Sequence, residues 1–185
     1  MNSKEKFEVY EQLLLDWSQK INLVAPSTLG DIKNRHIADS AQLADVIPVG
    51  TKIVDLGSGA GFPGVVLAVL DYDVTCIESI GKKTDFLNAV KKELKLDNLI
   101  IYHGRVEDFL REKAGKSRDF VFTARAFAPL VKILDYVRGQ KSRLFLLKGR
   151  EIEAEILTAK QKHKFNYNLI PSKTGDGFII VLQTL

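Results

Sequence analysis

The chain has 185 residues, 45% of them hydrophobic and 27% charged, a composition that suits one globular domain with a full core and excludes a low-complexity chain. Its single cysteine, Cys76, excludes an intramolecular disulfide, and no apolar run approaches the roughly 18 residues of a membrane span. The net charge of +4 hides an asymmetry: residues 91–185 hold 19 Lys and Arg against 11 Asp and Glu, an excess that suits either a polyanion such as RNA or a set of solvated helix faces.

Taken in order, the chain opens with MNSKEKFEVYEQ, which has no apolar signal core, so we expect a cytoplasmic protein. Phe7, Tyr10, Leu14, Trp17 and Ile21 recur at three- and four-residue spacing and predict an amphipathic helix from Lys4 to Lys20, with Trp17 on its core seam. Pro26 ends the next turn, Ser27 or Thr28 is placed to cap a short second helix, and Arg35 to Val46 reads as a third, broken by Pro48 and Gly50. These helices are expected to form an N-terminal cap over residues 1–50. From Lys52 onward strand and helix alternate, with strands at 52–56, 73–78, 98–103, 119–124, 142–148, about 164–170 and 178–183. Phe86, Leu87, Val90 and Leu94 mark one helix face, and Ile152, Ile156 and Leu157 another. Such alternation predicts an α/β fold, a doubly wound seven-stranded sheet with helices on both faces, spanning 51–185 within a single domain. Only the turn PSKTGDG separates the last two strands, so one of them should pair antiparallel at the edge.

The sheet is organised around TKIVDLGSGAGFPG, residues 51–64, where an apolar strand breaks into four glycines. Gly57, Gly59 and Gly61 lack the Cβ atoms that would hold a ligand off the backbone, and they tolerate positive φ. The spacing Gly59, Gly61, Gly64 matches a dinucleotide fingerprint, but a pyrophosphate there would lie close to the carboxylate of Asp55. S-adenosyl-L-methionine brings a sulfonium and an ammonium instead, so Asp55 becomes an attraction. Glu78, at the end of the second strand, is placed to hold ribose hydroxyls in either ligand class. His36, His103 and His163 with Cys76 show no metal-ligand spacing, and no metal is expected. Cys76 reads as a small buried apolar residue.

Longer segments carry a family resemblance: WSQKINLVA (17–25), RHIADS (35–40), VDLGSGAGFPG (54–64), IESIGKKTDFL (77–87), GRVED (104–108), TARAFAPL (123–130) and LKG (147–149). Together they resemble the RsmG (GidB) family of 16S ribosomal RNA guanine-N7 methyltransferases over nearly the whole chain. The resemblance implies a class I, Rossmann-like S-adenosylmethionine-dependent methyltransferase fold. It also implies S-adenosyl-L-methionine as donor, and as acceptor guanine 527 in the 530 loop of 16S rRNA, free or within the small subunit. Carried over by position, Gly57 and Phe62 line the cofactor, with Ser58 in the same loop; Val106 and Glu107 flank its adenine. Arg125 lies where cofactor and substrate meet, and Arg35, His36, Asp39 and Ser40 become candidates for closing the pocket. We expect a monomer.

Guanine N7 presents an unprotonated lone pair, so this chemistry needs alignment and electrostatics and no general base. An exocyclic amine acceptor would suggest an Asn-Pro-Pro-Tyr segment after the fourth strand, where ARAFAP stands, and a pyrimidine carbon acceptor would suggest a cysteine there. Arg125 is the candidate catalytic residue, holding a phosphate or the cofactor carboxylate; a surface ion pair with Glu107 or Asp108 is the alternative. Lys148 and Arg150 either receive RNA phosphate or form the solvated start of a helix. Arg35 and Asp39, four apart, read as a helical ion pair in the absence of the family. A small-molecule or protein methyltransferase fits the basic second half poorly, and a non-catalytic RNA-binding module has no need of the open loop.

Overall fold

A computed structural model describes residues 1–112, 120–139 and 141–185 of the chain. Seven strands form one sheet: β1 (Ile53–Leu56), β2 (Val74–Glu78), β3 (Leu99–His103), β4 (Val121–Arg125), β5 (Arg143–Lys148), β6 (Phe165–Pro171) and β7 (Phe178–Thr184), in the order β3-β2-β1-β4-β5-β7-β6. The first five pair in parallel. β7 inserts antiparallel between β5 and β6, which leaves β6 at the edge. All seven strands lie within two residues of their expected places; the expected start at Asp119 falls outside the described residues.

Because successive strand residues face opposite sides, each strand feeds two cores. Ile53, Cys76, Phe145 and Ile179 join one apolar cluster, while Val54, Ile77, Leu144, Leu146 and Ile180 join the other. The first face is covered by α1 (Ser3–Ser18), α3 (Gly64–Val69) and α4 (Gly81–Leu94); the second by α5 (Val106–Glu112), α6 (Leu130–Tyr136) and α7 (Ile152–Lys160). Phe86, Leu87, Val90 and Leu94 are fully buried as the pattern predicts. Leu157 is not: five residues beyond Ile152, it turns off the buried face and is 70% exposed.

Helix α1 buries Tyr10 and Leu14 and starts on an Asn2–Glu5 capping box that the sequence reading missed. It ends at Ser18, two residues short of the expected Lys20. Residues 26–31 form a short 3-10 helix with Pro26 at its first position and no side-chain cap, because Thr28 turns its hydroxyl back to the Ala25 carbonyl at 2.8 Å. The expected helix 35–46 is broken into a π-helical turn at 33–38, a single α-turn α2 (Asp39–Ala41) and a 3-10 turn at 42–45. The cause is local competition for carbonyls: Arg35 O is taken by Arg125 Nη2 at 2.8 Å, and His36 O by Ser40 Oγ at 2.7 Å. This π-turn brings the cap to the carboxyl end of β4.

Candidate active site

The glycine loop leaves β1 with Gly57, Gly59 and Gly61 all at positive φ. The three do different work. A Cβ on Gly59 would meet nothing nearer than Gly57 O at 3.9 Å, so this position faces open space, where a ligand can lie against the backbone. A Cβ on Gly57 would collide with the ring of Phe127, which lies against the loop from the far side of the cleft. Gly61 serves packing instead: its Cβ would press on Val65 and on the hydroxyl of Tyr10, which donates to Ala60 O at 2.5 Å and ties α1 to the loop.

Two carboxylates hold this loop. Glu78, 5% exposed, accepts from Gly59 N and from Ile80 N, both at 2.8 Å. Each of its oxygens keeps a further lone-pair direction for a hydroxyl. Asp55 is fully buried; its Oδ2 accepts from Gly64 N at 3.1 Å while its Oδ1 has no partner. Burial pushes its pKa up to about 7, against the lowering effect of the bonds from Ser58 and Gly64. Loop residues 57–64 carry no positive charge. An orphaned buried carboxylate oxygen, a second acid at the strand end and an open glycine backbone fit a cationic nucleoside and would repel a pyrophosphate. Replacing Glu78 with alanine should weaken S-adenosyl-L-methionine binding by about 1–3 kcal/mol, the worth of hydrogen bonds to a charged group, as read by isothermal titration; NAD should not bind.

Arg125, the last residue of β4, is fixed from three directions. Its Nε pairs with Asp39 Oδ2 at 2.9 Å, Nη1 donates to His36 Nδ1 at 2.7 Å, and Nη2 donates to Arg35 O. The alternative of an ion pair with Glu107 or Asp108 gives way to one with Asp39, and the Arg35–Asp39 pair read from helical spacing does not form, because the π-turn changes which side chains share a face. His36 is 7% exposed, stacks on Phe62 at 5.0 Å, and shares its Nε2 with Thr28 Oγ1 at 2.8 Å. Burial and the neighbouring Arg125 push its pKa down to about 4, so the ring is neutral and its Nδ1 accepts.

The model of the rRNA small subunit methyltransferase G family (GidB) matches residues 3–174. The chain belongs to this family. A ribosomal RNA small subunit methyltransferase G from Hyphomonas neptunium is 43% identical over 171 residues, covering 90% of this chain and 80% of the relative. Its counterpart from Gluconobacter oxydans is 37% identical over 183 residues, covering 96% and 91%. Among solved structures, an O-methyltransferase from Bacillus cereus in complex with SAH superposes with a TM-score of 0.65 at 14% identity, over 97% of this chain and 91% of that one. An rRNA methylase from Streptococcus thermophilus gives 0.54 at 16%, over 80% and 93%. At such identities the likeness establishes the class I methyltransferase fold and no more. Family membership makes the chain an S-adenosylmethionine-dependent methyltransferase.

In this family member a cavity of about 740 Å³ opens beside Arg125 at the carboxyl ends of β4 and β5, lined by Arg35, Asp39, Phe127, Lys148, Arg150 and Thr174 among others. Several expected site residues sit differently from their expected roles. His36 is spent on Arg125 and Thr28, and its buried ring is closed to RNA. Lys148 donates to Ala128 O and to Glu155 Oε2, both at 2.8 Å, so its ammonium is already neutralised. Phe62 packs its ring against Tyr10 and His36, with the Arg125 guanidinium over it at 5.8 Å, and the Ser58 hydroxyl turns inward to Asp55 O at 3.2 Å. Val106 is buried at the start of α5, with Glu107 exposed beside it. Arg35 and Arg150 remain exposed.

Three contributors escaped the sequence reading. Phe127 covers Gly57, Glu155 ties α7 to Lys148 and to Leu130 N, and the β6–β7 turn closes the cavity wall. In that turn Thr174 donates to Asp39 Oδ1 at 2.9 Å, and Ser172 and Lys173 bond to Gln42. The polar turn PSKTGDG carried a signal for a hairpin and none for its partner in the cap.

Proposed function

We propose that the protein transfers a methyl group from S-adenosyl-L-methionine to N7 of a guanine in the 530 loop of small-subunit ribosomal RNA, position 527, and that it does so in the cytoplasm as a monomer. The observation that carries the choice of N7 is the state of the titratable groups around Arg125. Asp39 accepts from Arg125, Gln42 and Thr174, Glu155 accepts from Lys148 and Leu130 N, and both ring nitrogens of His36 are engaged. The groups that touch Arg125 are thus committed to holding it, which suits an acceptor atom whose lone pair is already free.

Bound S-adenosyl-L-methionine supplies an electrophilic methyl group on a positively charged sulfur. The chain's part is placement. Glu78 and the Gly59 backbone orient the nucleoside end, Asp55 offers negative charge behind the loop, and Arg125 stands between loop and cavity with two of its five N–H groups unspent. Those two can hold a phosphate, the donor's carboxylate or guanine O6, and so fix the base without covering N7. Glu107 and Val106 are assigned to the adenine side, Arg35 and Arg150 to RNA phosphate at the cavity rim.

The test is direct. Small-subunit RNA incubated with protein and S-adenosyl-L-methionine should gain a single N7-methylguanine, located by chemical cleavage at the modified base. Methylation on N1, N2 or O6 would overturn the proposed acceptor atom. Modification of a different RNA, or of a small molecule alone, would overturn the proposed substrate.

A further inference from the structure

The acceptor cavity is poor in free positive charge. Arg125, Lys148 and Arg150 each have a carboxylate partner, at 2.9, 2.8 and 4.0 Å, and among the described residues only Arg35 in its lining has none. Phosphate attraction on the scale of a long RNA must therefore be supplied elsewhere. At the opposite, amino-terminal ends of β1, β4 and β5 a second cavity of about 370 Å³ is lined by Lys52, Lys141 and Arg143, with Phe120 and Gln183 beside them and, among the described residues, no acidic one. Among the described residues no carboxylate pairs with any of these three cations. All three are exposed, and Arg143 is steadied by lying over the Phe145 ring at 5.0 Å.

We propose that this groove is a second binding surface for RNA backbone phosphate, engaging the same RNA whose guanine enters the acceptor cavity. The inference rests on the reading of the protein as an RNA methyltransferase. Strand β5 connects the two surfaces, Arg143 at its start and Lys148 at its end, roughly 17 Å apart at ~3.3 Å per residue. Because β5 is an interior strand covered on both faces, an RNA strand that meets both surfaces has to pass over the elements packed around it, a path longer than β5 itself. Unpaired cations in a concave site gain more from phosphate than paired ones do, because no existing ion pair has to be broken and condensed counterions are released from the RNA. The half-buried Phe120 ring gives the groove an apolar wall that a sugar or base can cover.

The experiment compares wild type with a Lys52→Ala, Lys141→Ala, Arg143→Ala triple variant, titrating small-subunit RNA at several salt concentrations by fluorescence anisotropy. The slope of log affinity against log salt should fall by about 2 in the variant, at ~0.7 per phosphate contact on a single strand, and affinity at low salt should drop at least ~10-fold. S-adenosyl-L-methionine binding, thermal midpoint and the rate at saturating RNA should not move. A Lys52→Arg, Lys141→Arg variant should behave as wild type. An unchanged slope and affinity in the triple variant would overturn the proposal, as would a loss seen only on assembled subunits and not on bare RNA, which would assign the groove to a protein partner. If wild type itself neither binds nor methylates the RNA, it is the functional reading that fails.

Discussion

Arg125→Ala is expected to slow the methyl-transfer step by about 100- to 1,000-fold, the range seen when a preorganised donor is removed from an active site. Single-turnover rates at saturating cofactor and RNA measure it. The geometry gives the reason: a guanidinium held by Asp39, His36 and the Arg35 carbonyl has lost its freedom before substrate arrives, so its two remaining N–H groups meet the substrate without an ordering cost. Arg125→Lys should recover only part of the rate, because an ammonium keeps the charge and loses the planar fork that satisfies three partners at once. Asp39→Asn and His36→Phe should each give intermediate rates, since either releases the fork on one side; a rate unchanged by both would mean that the fork's rigidity contributes nothing. The pH profile of this step should be flat from about 5.5 to 8.5. His36 stays neutral over that range, its pKa being pushed down to about 4, and Asp39 is held by Arg125, Gln42 and Thr174. A rise of slope one with chemistry limiting would point to a proton transfer and sink the mechanism.

How far the sequence carried depends on what holds each element together. The central strands were legible because they are buried on both sides, so Leu144–Leu147 is a continuous apolar run between Arg143 and Lys148, and Ile53–Leu56 is apolar but for Asp55. That Asp55 and Glu78 stand at strand ends against the glycine loop was legible from their spacing to it. What was not legible arises between residues far apart in the chain. Arg125 bonds to residues 89 and 90 positions earlier, and that contact, by taking the Arg35 carbonyl, breaks the helix that local periodicity predicted for 35–46. Lys148 looked like a free cation beside Gly149 until α7 folded Glu155 back onto it. The resemblance makes His36 a candidate for closing the pocket, whereas its burial against Phe62 and its bond to Arg125 give it the place of a support for the guanidinium. In each case a local reading counted charges and the tertiary structure decided whether those charges were already spent.

The stability of the protein should fall as pH rises through neutrality, and Asp55 is the reason. Its carboxyl is fully buried, has one oxygen without a partner, and titrates near 7 in the folded chain against 3.8 in an ordinary aspartate. A group whose folded pKa is raised favours the folded state fully below its unfolded pKa, and loses that contribution as pH climbs through the folded value. Between pH 4 and pH 8 the loss is on the order of 4 kcal/mol if the whole shift is realised. Asp55→Asn mimics the protonated side chain, so it should raise stability by about 1.6 kcal/mol at pH 5 and by about 4 kcal/mol at pH 8; chemical denaturation at both pH values reads the difference. The same substitution should weaken S-adenosyl-L-methionine binding at pH 8 by ~10- to 100-fold, because the buried negative charge that destabilises the empty loop is what attracts a sulfonium and an ammonium. Binding of the cation should in turn hold Asp55 ionised, so wild type should release a fraction of a proton on binding near pH 7, seen as a dependence of calorimetric heat on buffer ionisation enthalpy, and Asp55→Asn should release none. A variant that is stabilised at pH 8 yet binds the donor as tightly as wild type would separate the two effects and remove Asp55 from recognition. The titration of Asp55 then appears in donor affinity and in stability, while the methyl-transfer step governed by Arg125 stays independent of pH.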